Sequence, residues 1–227
     1  MFTLNDVLRN GDAQIHGPAA PDPEMTFRAA RHDSRQVEPG DLFVALKGEF
    51  TDGHNFIAAA ARAGAGGVLC SRPATDVPAD FLQIVVPDVL KTLHATARQR
   101  VQRQQGTTLI GITGSNGKTS TKEAVAWVLS RLAPTHKTYA SYNHEIGYPL
   151  TLLQLEPQHR YAVLEMGAQW VGELAWLCDT VARPHWSMVT SVGASHLEYF
   201  GSQERVAIAK AELVQALTPE GIALLNY

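Results

Sequence analysis

The chain has 227 residues, 45% hydrophobic and 18% charged, with a formal net charge of −3. This gives room for one large or two small domains with a sizeable core, and excludes an extended disordered chain. The acidic balance offers no electrostatic basis for nucleic-acid binding, and no stretch is long and apolar enough to span a bilayer. The N-terminus lacks a basic-then-apolar leader, and Cys70 and Cys178 show no metal-ligand spacing. A cytoplasmic protein with reduced core thiols is expected, with no membrane insertion and acting as a monomer.

Residues 1–86 read as a small α/β domain. Phe2 to Leu8 predicts a short amphipathic helix, and Gly17 to Glu24 a proline-bearing loop. Thr26 to Ala30 and Asp41 to Leu46 predict strands, with Pro39-Gly40 turning between them. Asn55 to Gly64 predicts an alanine-rich helix that stops at its glycine. Gly67 to Cys70 and Leu82 to Val86 complete the strands. Two polar clusters follow strand ends, Asp33-Ser34-Arg35 and Lys47 to His54, where open α/β sheets place ligands. A polar turn with a helix cap accounts for them equally well.

Asp88 to Gln105 predicts a helix with Leu90, Leu93, Ala97 and Val101 on one face, and residues 87–106 form a helical linker. Its basic residues, Lys91, Arg98, Arg100 and Arg103, read as a solvated face. Residues 107–227 then alternate strands and helices. Strands are expected at Thr107 to Ile110, Tyr161 to Met166, His185 to Val192 and from Gly221. Helices are expected over Thr121 to Arg131 and Ser202 to Leu217, the second capped by Ser202. The fold class is α/β: a small N-terminal α/β domain, then a mostly parallel sheet with flanking helices. The chain stops two residues after its last strand, so this sheet reads as incomplete.

Gly111-Ile112-Thr113-Gly114-Ser115-Asn116-Gly117-Lys118-Thr119-Ser120 lies between strand and helix, the setting of a phosphate-binding loop. Its glycines let backbone N–H groups close around phosphate oxygens at a helix N-terminus. Lys118 would reach the β- and γ-phosphates of ATP, and the Thr119 hydroxyl would hold Mg²⁺. Ile112 stands where the common pattern has its first glycine, so only Gly114-x-x-Gly117-Lys118-Thr119 remains. Glu165 and His196, following neighbouring strands, should converge on the same sheet edge, and a carboxylate there suits Mg²⁺. Lys210, flanked by alanines, reads on its own as a solvated helix lysine.

The glycine loop, extended to Glu123, resembles the ATP loop of the Mur ligases, which build the peptidoglycan peptide. Asn143 to Leu153, Glu165-Met166-Gly167-Ala168 with Gly172-Glu173, and His196 to Ser202 resemble the branch that adds D-alanyl-D-alanine. Asp33-Ser34-Arg35, Pro39 to Gly48 and Asp52-Gly53-His54 are similar to its first domain. The resemblance implies a UDP-MurNAc-tripeptide site in residues 1–86, with Ser34, Arg35, Lys47 and Asp52 as contacts and Asn143 as a further substrate contact. It implies MgATP bound through Gly114, Ser115, Asn116, Gly117, Lys118, Thr119 and Ser120. Thr119 and Glu165 would serve one Mg²⁺, and His196 a second. In several members a lysine at the place of Lys210 is carbamylated, which makes it a candidate ligand. The implied reaction is ATP-dependent amide ligation through an acyl phosphate, with Lys118, Glu165, His196 and Lys210 around it. Members continue into a third domain, so the resemblance covers the front half. The competing readings are a precursor-binding module without turnover and a ligase like folylpolyglutamate synthase. His144, Ser191 and Gln169-Trp170-Val171 depart from the family pattern.

Overall fold

The computed structural model describes residues 1–10, 12–193 and 197–226. Internal contacts divide them into two units, one up to Arg100 and one from Val101.

In the first unit the elements run β1 (Phe2–Thr3), α1 (Leu4–Leu8), β2 (Gln14–His16), β3 (Thr26–Phe27) and β4 (Ala30–Arg31). After a 3₁₀ turn at Ser34–Gln36 come β5 (Leu42–Val44), a second 3₁₀ turn at Gly53–Phe56, α2 (Ile57–Arg62), β6 (Gly67–Cys70) and β7 (Gln83–Val85). The main sheet has the order β2-β7-β6-β5-β4, parallel except for the β2–β7 pair. Phe43, Ile57, Ala60, Val68 and Cys70 form its buried core against α2.

Two local expectations are corrected here, and one unforeseen strand is added. The helix expected from Phe2 begins at Leu4, because Thr3 takes the cap position. Its hydroxyl accepts from the Asp6 N–H while the Asp6 carboxylate accepts from the Thr3 N–H. Phe2 is thereby released to pair with Phe27, ring centroids 5.4 Å apart. The single strand expected over Thr26 to Ala30 is two, because β3 pairs with β1 while β4 joins β5 in the other sheet. Finally, Gln14–His16 is a strand held by β7 at the sheet edge, too short for its alternation to register in the sequence.

Helix α3 (Val89–Arg103) buries Val89, Leu93 and Ala97 beside Thr92 and Thr96. Leu90 and Val101 are only half-buried, and Lys91, Arg98 and Arg103 are exposed, a solvated basic face.

The second unit contains β8 (Thr108–Thr113), α4 (Lys118–Leu129), β9 (Thr135–Lys137), α5 (Gly147–Leu153) and β10 (Tyr161–Glu165). There follow α6 (Glu173–Thr180), β11 (Trp186–Val189), α7 (Leu197–Phe200), α8 (Gln203–Gln215) and β12 (Ile222–Leu225). Its sheet is parallel throughout, in the order β12-β11-β8-β10-β9, so β8 is central. Ile110 and Ile112 meet Val163 and, from α4, Ala126 on one face. Burying each of these branched side chains stabilises the fold by about 1.5–3 kcal/mol. On the other face Gly111 lets α8 come close: a Cβ there would stand 3.2 Å from Leu213. Helices on both faces and strand C-termini on one edge give the α/β architecture expected from the sequence. Ser202 caps α8 through the Arg205 N–H as expected. Helix α4 starts three residues earlier than expected, directly on the glycine loop.

Candidate active site

The glycine loop leaves β8 and turns into α4 with Gly114 at φ +148° and Gly117 at φ +82°. Both values lie where a side chain is disfavoured. Space matters as well at Gly114, where a Cβ would stand 2.0 Å from Thr190 Oγ1. The loop is pinned from β11's exit. Ser115 N–H donates to the Ser191 carbonyl at 2.9 Å, and Asn116 N–H to the Ser191 hydroxyl at 3.0 Å. The Thr190 hydroxyl donates to the Asn116 carbonyl at 2.6 Å.

Lys118 is the first residue of α4, and its Nζ folds back to donate to the Gly114 carbonyl at 2.7 Å. Burial holds its pKa below the ordinary lysine value, partly offset by the charge of Glu165. Thr119, one residue on, donates its hydroxyl to Glu165 Oε2 at 2.9 Å. Glu165 ends β10, and the parallel register sets it beside Ile112, just before the loop. Its other oxygen accepts from Asn143 Nδ2 at 2.8 Å. Its backbone N–H donates to the Thr138 hydroxyl at 3.0 Å.

Next to this group lies a pocket of about 470 Å³ lined by Lys118, Asn143, Glu145, Gln169, Glu173 and Lys210 among others. Lys210 corrects the reading of it as a solvated lysine, being only 2% exposed. It lies three residues before Leu213, which packs over Gly111, so α8 turns it inward. Burial first, then repulsion from Lys118, pulls its pKa down to about 8. Glu173 is buried too. Burial raises its pKa, against the pull of backbone N–H groups from Gln169 and Trp170.

In the first unit the Lys47 to His54 cluster forms a second network. A backbone bridge joins Lys47 to Asp52. Asp52 Oδ1 accepts from the His54 N–H at 3.0 Å and lies 2.7 Å from His54 Nδ1, while Arg72 donates to Oδ2 at 2.8 Å. These contacts, Arg72 foremost, hold the Asp52 carboxyl well below the usual range. His54 Nε2 accepts from the Ser71 N–H at 3.0 Å. Ser34 and Arg35 lie in a separate 3₁₀ turn, and Arg35 is exposed and paired with Asp33, whose pKa that hydrogen bond lowers to about 2.

Lys118, Thr119, Asn143, Glu165 and Lys210 thus come together, and Lys47 with Asp52, whereas His196 lies outside the described residues. The sequence reading gave no individual role to Lys122, Glu173, Ser71 or Arg72. Lys122 carried a usable signal, since a helix places it on the face of Lys118 and Thr119. Cys70 and Cys178 are free and buried, with thiol pKa values pushed up by burial to about 11 and about 12.

Residues 112–227 match the family described as Mur ligase middle domain, half of the chain. The chain belongs to the Mur ligase family. Residues 27–101 of this Mur ligase match the description "Mur ligase family, catalytic domain". The UDP-N-acetylmuramoyl-tripeptide–D-alanyl-D-alanine ligase of Escherichia coli (strain K12) is 41% identical over 226 residues, 98% of this chain and 46% of that protein. MurF from Acinetobacter baumannii superposes with a TM-score of 0.85 at 35% identity, over 99% of this chain and 48% of that one. MurF ligase from Thermotoga maritima, solved in complex with ADP, gives a TM-score of 0.73 at 35% identity, over 87% and 45%. This Mur ligase chain therefore spans about half the length of the relatives it matches. Among its described residues no helix is long and apolar enough to cross a membrane.

Proposed function

We propose that these residues serve an ATP-dependent ligase that joins D-alanyl-D-alanine to UDP-MurNAc-tripeptide, as the names of the relatives state for those proteins. The observation that carries the reading is the linkage of Thr119, Glu165 and Asn143 at the foot of the glycine loop, with Lys118 beside it. Residues 114–120 would hold the ATP phosphates, and Lys118 would exchange loop carbonyls for phosphate oxygens. Ser34, Arg35, Lys47 and Asp52 in residues 1–86 would meet the UDP-sugar end, joined through 87–106 to the ATP-binding residues from 107.

The donors at Thr119 and Glu165 are hard oxygens, and they fit Mg²⁺, which takes few protein ligands beside phosphate and water. When bound, Mg²⁺ offsets negative charge on the transferring phosphoryl group. Among the described residues no three His, Cys, Asp or Glu side chains cluster as metal ligands. Lys210 faces the same pocket, and a carbamate on its amine would supply a further oxygen donor.

The chemistry follows from an unreactive carboxylate. The γ-phosphoryl group passes from ATP to a carboxylate oxygen of the tripeptide, leaving ADP and an acyl phosphate. Lys118 offsets charge as that transfer proceeds. The amine of D-alanyl-D-alanine then attacks the acyl carbon: a C–N bond forms, the C–O bond to phosphate breaks, and the amine loses a proton.

The test is phosphate release from MgATP by this chain. The reading expects release only when UDP-MurNAc-tripeptide and D-alanyl-D-alanine are both present, and none from Lys118→Ala. Release from ATP alone would contradict it. Binding of the UDP-precursor without release would favour the binding-module reading.

A further inference from the structure

Lys122 is a fully buried cation that no step above uses. It lies on α4 one turn after Lys118. Its Nζ donates to the Ala140 carbonyl at 2.7 Å and stands 3.6 Å from Glu165 Oε2 and 3.3 Å from Glu123 Oε1. Ala140 has φ +46°, the left-handed region that favours glycine, and is the one non-glycine residue with positive φ among the described residues. Such a conformation persists where its surroundings over-determine it. Here the lysine grips its carbonyl.

Three residues later the same loop delivers Asn143, whose Nδ2 donates to Glu165 Oε1 and whose carbonyl accepts from the Gly167 N–H at 2.7 Å. One ammonium therefore stands within ion-pair range of Glu165 Oε2, at 3.6 Å, and reaches Oε1 through Ala140 and Asn143. A buried lysine needs compensation for lost solvation, and these oxygens supply it.

We propose that Lys122 is a positioning residue that sets both oxygens of Glu165, and so the orientation of the carboxylate that meets the divalent cation of the bound nucleotide. The inference rests on the proposed nucleotide role of Glu165 for its functional part, while the grip on the 140–143 loop stands on geometry alone.

The test compares this chain with Lys122→Met, Asn143→Ala and the double variant, in two measurements. Hydrogen exchange without ligand reads the loop. Lys122→Met should speed exchange at residues 140–147 about tenfold, as loss of one charged hydrogen bond implies, with β8 and β10 unchanged. Calorimetric titration of ADP with and without MgCl₂ reads the carboxylate. Lys122→Met should weaken the magnesium-dependent affinity about tenfold and leave magnesium-free ADP binding unchanged, with the double variant no worse than the single.

Unaltered exchange at 140–147, or equal acceleration across the whole unit, would overturn the positioning role. Equal loss of ADP affinity with and without magnesium would overturn it too. Absence of magnesium-dependent ADP binding in the unsubstituted chain would strike the proposed nucleotide site instead, and the exchange result would still decide whether Lys122 holds the loop. If Lys122→Met fails to fold, Lys122→Arg, which keeps the charge and changes its reach, is read in the same two ways.

Discussion

Thr119 donates its hydroxyl to Glu165 Oε2 at 2.9 Å, joining the first turn of α4 to the last residue of β10. Each side chain would be unremarkable alone. The parallel register that sets Glu165 against Ile112 turns them into one oxygen cluster beneath the glycine loop.

Replacing Thr119 by Val keeps the shape and removes that hydroxyl. Thr119 is exposed, so stability should change by less than about 1 kcal/mol. Calorimetry should find magnesium-dependent ADP binding weakened about tenfold. A variant with unaltered MgADP affinity would remove Thr119 from the proposed cation site.

The two loop glycines should respond differently to alanine. At Gly114 the added Cβ meets Thr190 Oγ1 at 2.0 Å in addition to the positive φ, whereas at Gly117 the nearest atom is 4.0 Å away. Gly114→Ala should destabilise by about 3 kcal/mol and Gly117→Ala by about 1 kcal/mol. Urea melts give the comparison, and equal losses would show that φ alone decides.

Lys210 makes stability depend on pH in a defined window. Its folded pKa of about 8 lies below the ordinary 10.5. Between these values the unfolded chain keeps a proton that the folded chain has released, so this contribution to stability rises with pH. Below about pH 8 both states hold the proton, and the buried charge carries its full penalty. Lys210→Met removes the penalty and should be the more stable chain at pH 7 by roughly 2–3 kcal/mol. The difference should shrink as pH climbs toward 10. Parallel stability curves for the two chains would show that Lys210 is not held as a strained ammonium.

His54 ties the Asp52 turn to the exit of β6 by accepting the Ser71 N–H. His54→Ala leaves that donor without its partner and removes the ring nitrogen beside Asp52 Oδ1, which keeps only the backbone N–H of residue 54, and should cost about 1–3 kcal/mol. Hydrogen exchange at residues 71–74 should accelerate while β12 in the other unit stays unchanged. Uniform acceleration would assign His54 to general packing.

Part of the second unit was legible in the sequence because its central strands β8 and β10 are buried on both faces and read as continuous apolar runs, Tyr161 to Met166 above all. The glycine loop was legible because its glycines, lysine and threonine stand at fixed spacing between an apolar strand and a helix. Lys210 was not: alanines on either side describe a helix and say nothing of what α8 packs on, which Leu213 and Gly111 decide together. Lys122 escaped because its partner oxygens come from Ala140 and Glu165, far along the chain. In the first unit β1 and β3 hold two residues each, so pairing rather than alternation defines them.

The central claim, that nucleotide binds at the glycine loop with Lys118 on its phosphates, is tested most directly by calorimetric titration of MgADP into this chain and into Lys118→Ala. The account predicts saturable one-to-one binding that weakens at least about tenfold in the variant. Equal affinity in both, or no binding to either, would contradict it.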